Sequence, residues 1–255
     1  MIKNVEFKNK YGLKLKGIVH IPKKYDTAFI YLHGFPGSMS SRAVQVCEMM
    51  SKLGYLSLRF NFSGSDTSEG KFQDKLMSKE VDDIEYAIDF LTKNFKFKKL
   101  ILMGHSTGAI DAALYGYKDK RISKLILSGC VGKLSNAAHY DFNDEQVRNF
   151  WTKGYIVYGK KKGVKKTWVT DKKLKKAFYD EFFKLDLLGS LHKFRKPVLI
   201  LHGEKDVDVP LKETEQTYKA ANHPKKLVIL KGAGHRYTGK YLRQAIKAIN
   251  SFING

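Results

Sequence analysis

The segment Gly104-His105-Ser106-Thr107-Gly108 carries the arrangement best suited to covalent chemistry. It follows the apolar run 100–103 and opens a stretch with helical spacing, which is the strand–turn–helix setting that a G-x-S-x-G nucleophile elbow requires. A turn this sharp holds the serine in strained backbone geometry and admits only small neighbours, which the two glycines provide. It lifts Ser106 Oγ above the sheet edge, and the helix beginning there turns its positive end toward charge developing on a bound carbonyl oxygen. Ser106 is the expected nucleophile.

A serine hydroxyl needs a base, and the base needs an acid to orient it. His202-Gly203-Glu204-Lys205-Asp206-Val207-Asp208 follows the apolar run 198–201, and Gly232-Ala233-Gly234-His235 follows the run 227–230. Both set polar residues just past the end of a strand, in the chain order Ser, Asp, His. His235 is the expected base. Asp206 is the preferred acid, because the turn after Gly203 sets it nearest the sheet edge; Asp208 is the rival and Glu204 is less suited. His33-Gly34-Phe35-Pro36-Gly37 follows the run 28–32. A turn there can present backbone N–H groups to an oxyanion, and the expected donors are the amides of Phe35 and Thr107, since Pro36 has no N–H. His33 and His105 read as structural.

The elements that must position these residues follow from periodicity. Residues 5–8 and 14–20 alternate around Lys10-Tyr11-Gly12 and predict a hairpin. Apolar runs at 28–32, 100–103, 198–201 and 227–230 predict buried strands, and 56–60 and 124–128 read as further strands. Helices are expected over 42–53, 79–91, 106–117, 211–220 and 241–252. Strands alternating with helices imply right-handed crossovers and a mostly parallel sheet covered on both faces. The alternation breaks over 133–190, where ten lysines and one acid, Asp171, lie between Lys153 and Lys176 among Trp151, Tyr155, Tyr158 and Trp168. Within it, 155–158 and 167–170 are expected to pair as a hairpin and 172–183 to be helical.

On these residues the chain resembles the α/β-hydrolase superfamily and, more narrowly, serine esterases related to cinnamoyl/feruloyl esterases and monoacylglycerol lipases. The likeness spans nearly the whole chain and includes Arg59-Phe60-Asn61-Phe62-Ser63-Gly64 through Glu69-Gly70-Lys71-Phe72. Relatives often carry a Gly-x-Gly-x-Ser pattern there, from which Ser63-Gly64-Ser65-Asp66-Thr67-Ser68 departs. The resemblance implies an α/β-hydrolase core over 1–132 and 191–255, with 133–190 inserted as a lid between the sixth and seventh core strands. Trp151, Tyr155 and Trp168 are then candidate substrate contacts. The implied activity is hydrolysis of short-chain or aryl carboxylic esters through an acyl-enzyme. A monoacylglycerol lipase, a thioesterase or a serine aminopeptidase would use the same triad.

Composition limits the alternatives. With 255 residues and 43% apolar content, the chain can bury a large core without staples. Its 47 basic residues include only seven arginines and give a net charge of +22. A lysine coat lacks the planar forks that read bases, so no specific nucleic-acid partner is expected. The class rival is a catalytically dead fold using this charge as a basic binding protein. Cys47 and Cys130 are too few for a disulfide scaffold. No run approaches membrane-spanning length and no signal peptide is seen, so the expected location is cytoplasmic. No metal-ligand spacing occurs. In Gly234–Lys240 the G-x-x-x-x-G-K pattern meets Tyr241 where a phosphate loop needs Ser or Thr. The expected partner is a small-molecule ester, with no metal or cofactor and a homodimer as a possible assembly.

Overall fold

The computed structural model describes residues 1–136, 144–158 and 168–255. Eight strands form one sheet: β1 (Ile2–Lys8), β2 (Lys14–His20), β3 (Thr27–Leu32), β4 (Leu56–Phe60), β5 (Lys99–His105), β6 (Ile122–Ser128), β9 (Val198–Gly203) and β10 (Lys225–Leu230). Their spatial order is β1-β2-β4-β3-β5-β6-β9-β10. The first two strands pair antiparallel, and β2 joins β4 antiparallel. All later pairings are parallel.

Side-chain alternation divides the core by face. Ala28, Ile30 and Leu32 of β3 join Leu100 and Leu102 of β5 and Val198 and Ile200 of β9 on one side. Phe29, Tyr31, Ile101, Met103, Leu199 and Leu201 face the other. The strand period of two therefore makes both faces apolar, and each needs helices to cover it. Helices α2 (Met77–Asn94), α3 (Thr107–Gly116) and α6 (Leu187–Lys193) cover the first face. Helices α1 (Arg42–Lys52) and α8 (Lys240–Asn254) cover the second. Helix α7 (Leu211–Ala220) lies between β9 and β10 in the chain. The chain thus has the α/β-hydrolase architecture.

The segment between β6 and β9 departs from its expected local structure. It holds α4 (Asp144–Lys153), β7 (Tyr155–Tyr158), β8 (Lys172–Lys175) and α5 (Ala177–Phe182). β7 pairs antiparallel with β8, not with 167–170, and 172–175 is strand rather than helix. The reason is burial. Leu174 faces Ile156 across the ladder and both are buried, which outweighs the weak helical preference of a lysine-rich stretch. Residue 167 lies outside the described residues, and 168–170 form a turn. The segment's buried Phe150, Ile156, Leu174, Phe178 and Phe182 belong to the same apolar cluster as the first face of the sheet.

Candidate active site

Ser106 is the single residue between β5 and α3, and its φ of 57° is positive. Non-glycine residues occupy that region at a cost of about 1–3 kcal/mol, so the surroundings must hold it there. The Ser106 amide donates to Ser128 O at 2.8 Å, and Ala109 N donates back to Ser106 O at 2.9 Å. The flanking glycines are steric necessities. A Cβ on Gly104 would lie 1.9 Å from Gly108 O, and one on Gly108 would lie 2.4 Å from Leu32 O.

The loops after β9 and β10 are stitched together before they deliver any side chain. Lys205 N donates to Ala233 O at 2.7 Å, Glu204 N to Leu230 O at 3.1 Å, and Gly232 N to Glu204 Oε2 at 2.9 Å. Glu204 thus serves the loop junction. Asp206 Oδ2 lies 2.7 Å from His235 Nδ1, and its side chain is only 1% exposed. Its Oδ1 accepts from the amides of Asp208 and Val209, each at 2.9 Å. Burial alone would raise the Asp206 carboxyl, but the hydrogen bonds from His235 and the Val209 amide and the electrostatic pull of His235 and His202 outweigh it and hold it below the usual range. Asp208 is exposed and contributes its amide to Asp206, not its carboxylate to His235.

Several further positions orient this pair, among them His105, which the sequence marks as structural. His202 is fully buried, donates from Nε2 to Val209 O at 2.9 Å and receives the Thr214 hydroxyl at Nδ1. It backs the acid loop as a neutral ring, its pKa lowered mainly by burial. The His235 ring lies over Gly129, where an added Cβ would sit 3.0 Å from Cε1. Gly129 follows Ser128, the acceptor of the Ser106 amide, so His235 stands beside the Ser106 turn. His105 packs under His235 with ring centroids 4.8 Å apart and lies 3.2 Å from Ser128 Oγ, which donates to Tyr237 OH. Burial, then His235, push its pKa down to about 3, so it stays uncharged. Asp206 and His235 are directly bonded; among the described residues Ser106 Oγ makes no direct hydrogen bond to the His235 ring. The signal available for Gly129 was its place just after an apolar strand, the same context that marked the other loops.

The loop after β3 lies against Ser106. A Cβ on Gly34 would come within 3.0 Å of both His105 O and Ser106 Cβ. His33 is buried, donates from Nδ1 to Gly34 O at 2.9 Å and accepts from Phe62 N, and burial lowers its pKa to about 3. The Phe35 ring stacks on Phe72 at 5.6 Å and on Phe178 of α5 at 4.9 Å, with Tyr158 edge-on at 6.1 Å. Phe35 and Thr107 do meet, but through a side chain: the Phe35 amide donates to Thr107 Oγ1.

Behind this loop the departed Ser63–Ser68 stretch is closed by buried charge. Lys75 Nζ lies 2.6 Å from Glu80 and donates to Ser63 O and Ser65 Oγ. Asp83 accepts from Ser63 N and Asn9, and burial raises its pKa to about 6. Asp111 of α3 is buried beside this group, and burial plus the Glu80 charge push its carboxyl well up.

The three aromatic candidates separate. Trp168 packs edge-on to Phe72 at 5.4 Å, within the stack that holds Phe35. Trp151 is 75% exposed beneath Lys176, and Tyr155 lies beneath Lys173 on the outward side of the β7–β8 pair. For a metal, the group of suitable spacing among the described residues is Asp206, Asp208 and His235. Two of its members already bond each other. Among the described residues no helix is long and apolar enough to cross a membrane.

Known proteins share this framework. The structure superposes on Est1E from Butyrivibrio proteoclasticus bound to ferulic acid, with a TM-score of 0.81, 24% identity and 98% of each chain covered. It superposes on the Pyrococcus furiosus esterase Pf2001 with a TM-score of 0.77 and 21% identity, covering 100% of this chain and 91% of the other. At these identities the likeness is one of fold. In sequence, 86 residues are 35% identical to a protein of Mycoplasma pneumoniae provisionally named esterase/lipase 2, covering 34% of this chain and 31% of that one. Its namesake in Mycoplasma genitalium is 30% identical over 112 residues, covering 44% and 38%. The matched part of the chain spans only about a third of the length of these two relatives. A family model described as serine aminopeptidase, S33, matches residues 23–239. This chain therefore belongs to the serine aminopeptidase, S33, family of hydrolases.

Proposed function

We propose that the protein hydrolyses carboxylic esters through an acyl-enzyme on Ser106. Ser106 Oγ attacks the acyl carbon while His235 Nε2 takes its proton, and Asp206 holds the imidazole in the tautomer that leaves Nε2 free. The carbonyl π pair moves onto oxygen and is stabilised at the start of α3 and by the Phe35–Thr107 pair. Collapse expels the alcohol, which receives the proton from His235. Water then repeats the sequence and releases the acid. The observation that carries this reading is the 2.7 Å Asp206–His235 bond set beside a serine held at φ 57°.

In this reading 1–132 and 191–255 form the core and 133–190 the lid. Trp168 and the Phe35 stack form one apolar wall, which suits an aryl or short acyl group. The ferulic acid bound by the Est1E relative supports an aromatic acyl donor. The family's description favours a second substrate, a peptide with a free N-terminus. The test is turnover of p-nitrophenyl esters from acetate to palmitate, methyl ferulate and amino-acid p-nitroanilides by wild type and Ser106→Ala. Ester turnover by wild type alone supports the proposal. Anilide turnover alone moves the assignment to the peptidase, and equal activity in Ser106→Ala removes the nucleophile.

A further inference from the structure

The expected second oxyanion donor, the Phe35 amide, already has an acceptor: Thr107 Oγ1. An N–H has one proton, so while this bond lasts the amide does not face a substrate oxygen. The loop is not built to let go. The Phe35 ring is stacked on Phe72 and Phe178, Gly37 N donates to Gly34 O at 2.7 Å, and Gly34 lies flat against His105 O and Ser106 Cβ. Thr107, by contrast, is the first residue of α3. Its backbone N–H has no partner inside the helix and points outward with the helix axis.

We propose that the Thr107 hydroxyl is itself an oxyanion donor, with the Phe35 amide polarising it from behind. The proposal rests on the ester-hydrolase reading above. A hydroxyl that accepts one hydrogen bond keeps its own proton to donate, and each link of an N–H···O–H···O⁻ chain strengthens the next. One residue then offers two donors, its backbone N–H and its Oγ1–H, to the same oxygen. During addition the new bond forms between Ser106 Oγ and the acyl carbon, the π pair goes to the carbonyl oxygen, and the proton goes to His235. The Thr107 proton stays on Oγ1 throughout. The competing arrangement makes the hydroxyl a plug that substrate must displace before the Phe35 amide is freed.

The two arrangements respond oppositely to loss of the hydroxyl. Thr107→Val, Thr107→Ala and Thr107→Ser are compared with wild type in kcat and KM on p-nitrophenyl butyrate and in the rate of Ser106 phosphonylation by a fluorophosphonate. Phosphonylation also builds negative charge on a bound oxygen, so it needs the same donors without any knowledge of the natural ester. The expected result is a fall of about a hundredfold in kcat for the valine and alanine variants, typical of one lost donor. KM should stay within about threefold, phosphonylation should slow in parallel, and serine should recover most of the rate. A rate at or above wild type in either folded variant, checked by its melting temperature, overturns the proposal and leaves the plug. A wild-type protein that is not labelled at Ser106 overturns the hydrolase reading and the proposal together.

Discussion

Asp206 and Asp208 are two residues apart, and their carboxylates both lie within 4.8 Å of His235 ring nitrogen, yet their substitution by asparagine should differ by three orders of magnitude. In Asp206→Asn the side-chain oxygen stays committed to the amides of Asp208 and Val209, each now at 2.9 Å, so the new NH₂ faces His235 Nδ1. Nδ1 becomes the acceptor, and the ring proton moves to Nε2, the atom that must receive the serine proton. The expected loss in kcat is about 10³–10⁴-fold, or about 4–5.5 kcal/mol. Asp208 is exposed, so its charge acts on His235 through water. At 4.8 Å that amounts to about 0.9 kcal/mol, or about fourfold. The assay is kcat and KM for both variants on one p-nitrophenyl ester, with melting temperatures to establish folding. Equal losses, or a larger loss in Asp208→Asn, would refute the argument from burial and donor placement.

Three further outcomes follow. His33 is neutral with its pKa near 3, against an ordinary value near 6.5, so its contribution to stability is complete above about pH 6.5 and is lost as pH falls toward 3. Denaturant unfolding of wild type and His33→Gln at pH 7 and pH 5 should show the gap between them shrinking by about 2 kcal/mol, and a constant gap would show that His33 is not held neutral. Gly104→Ala pushes a methyl to 1.9 Å from Gly108 O and should cost at least about 3 kcal/mol, read as a melting temperature lower by about 6 °C or more; a wild-type value would mean the turn can open. Trp168→Ala should raise KM for aryl esters about five- to thirtyfold, because its ring belongs to the Phe72 wall, whereas Trp151→Ala should change it less than twofold; the reverse ranking would place the substrate at the outer face of the β7–β8 pair.

Strands β3, β5 and β9, which carry most of the candidate site, were legible because they are buried on both faces. Runs such as Ala28-Phe29-Ile30-Tyr31-Leu32 have no polar position to confuse with a helix. The glycines of the elbow were legible because steric exclusion leaves them few substitutes. The segment between β6 and β9 was not, since its strand pairing depends on partners distant in the chain. Leu174 is a lone apolar residue among lysines until Ile156 faces it. Helix α6 is seven residues long and owes its start to Asp186, whose side chain accepts from Gly189 N. The Thr107 hydroxyl was invisible for another reason: the elbow pattern assigns that position through its backbone, and no spacing rule speaks for its side chain.

The stack of Phe35 between Phe72 and Phe178 ties together three stretches that lie far apart in the chain. Grafting a relative's segment in place of 133–190 would test this tie. Here such a graft would remove Phe178 and Tyr158 from behind the loop beside Ser106. A transplanted segment would therefore change rate as well as selectivity unless it brought rings of matching shape. Engineering by segment exchange should move residues 35, 72, 158 and 178 as one unit.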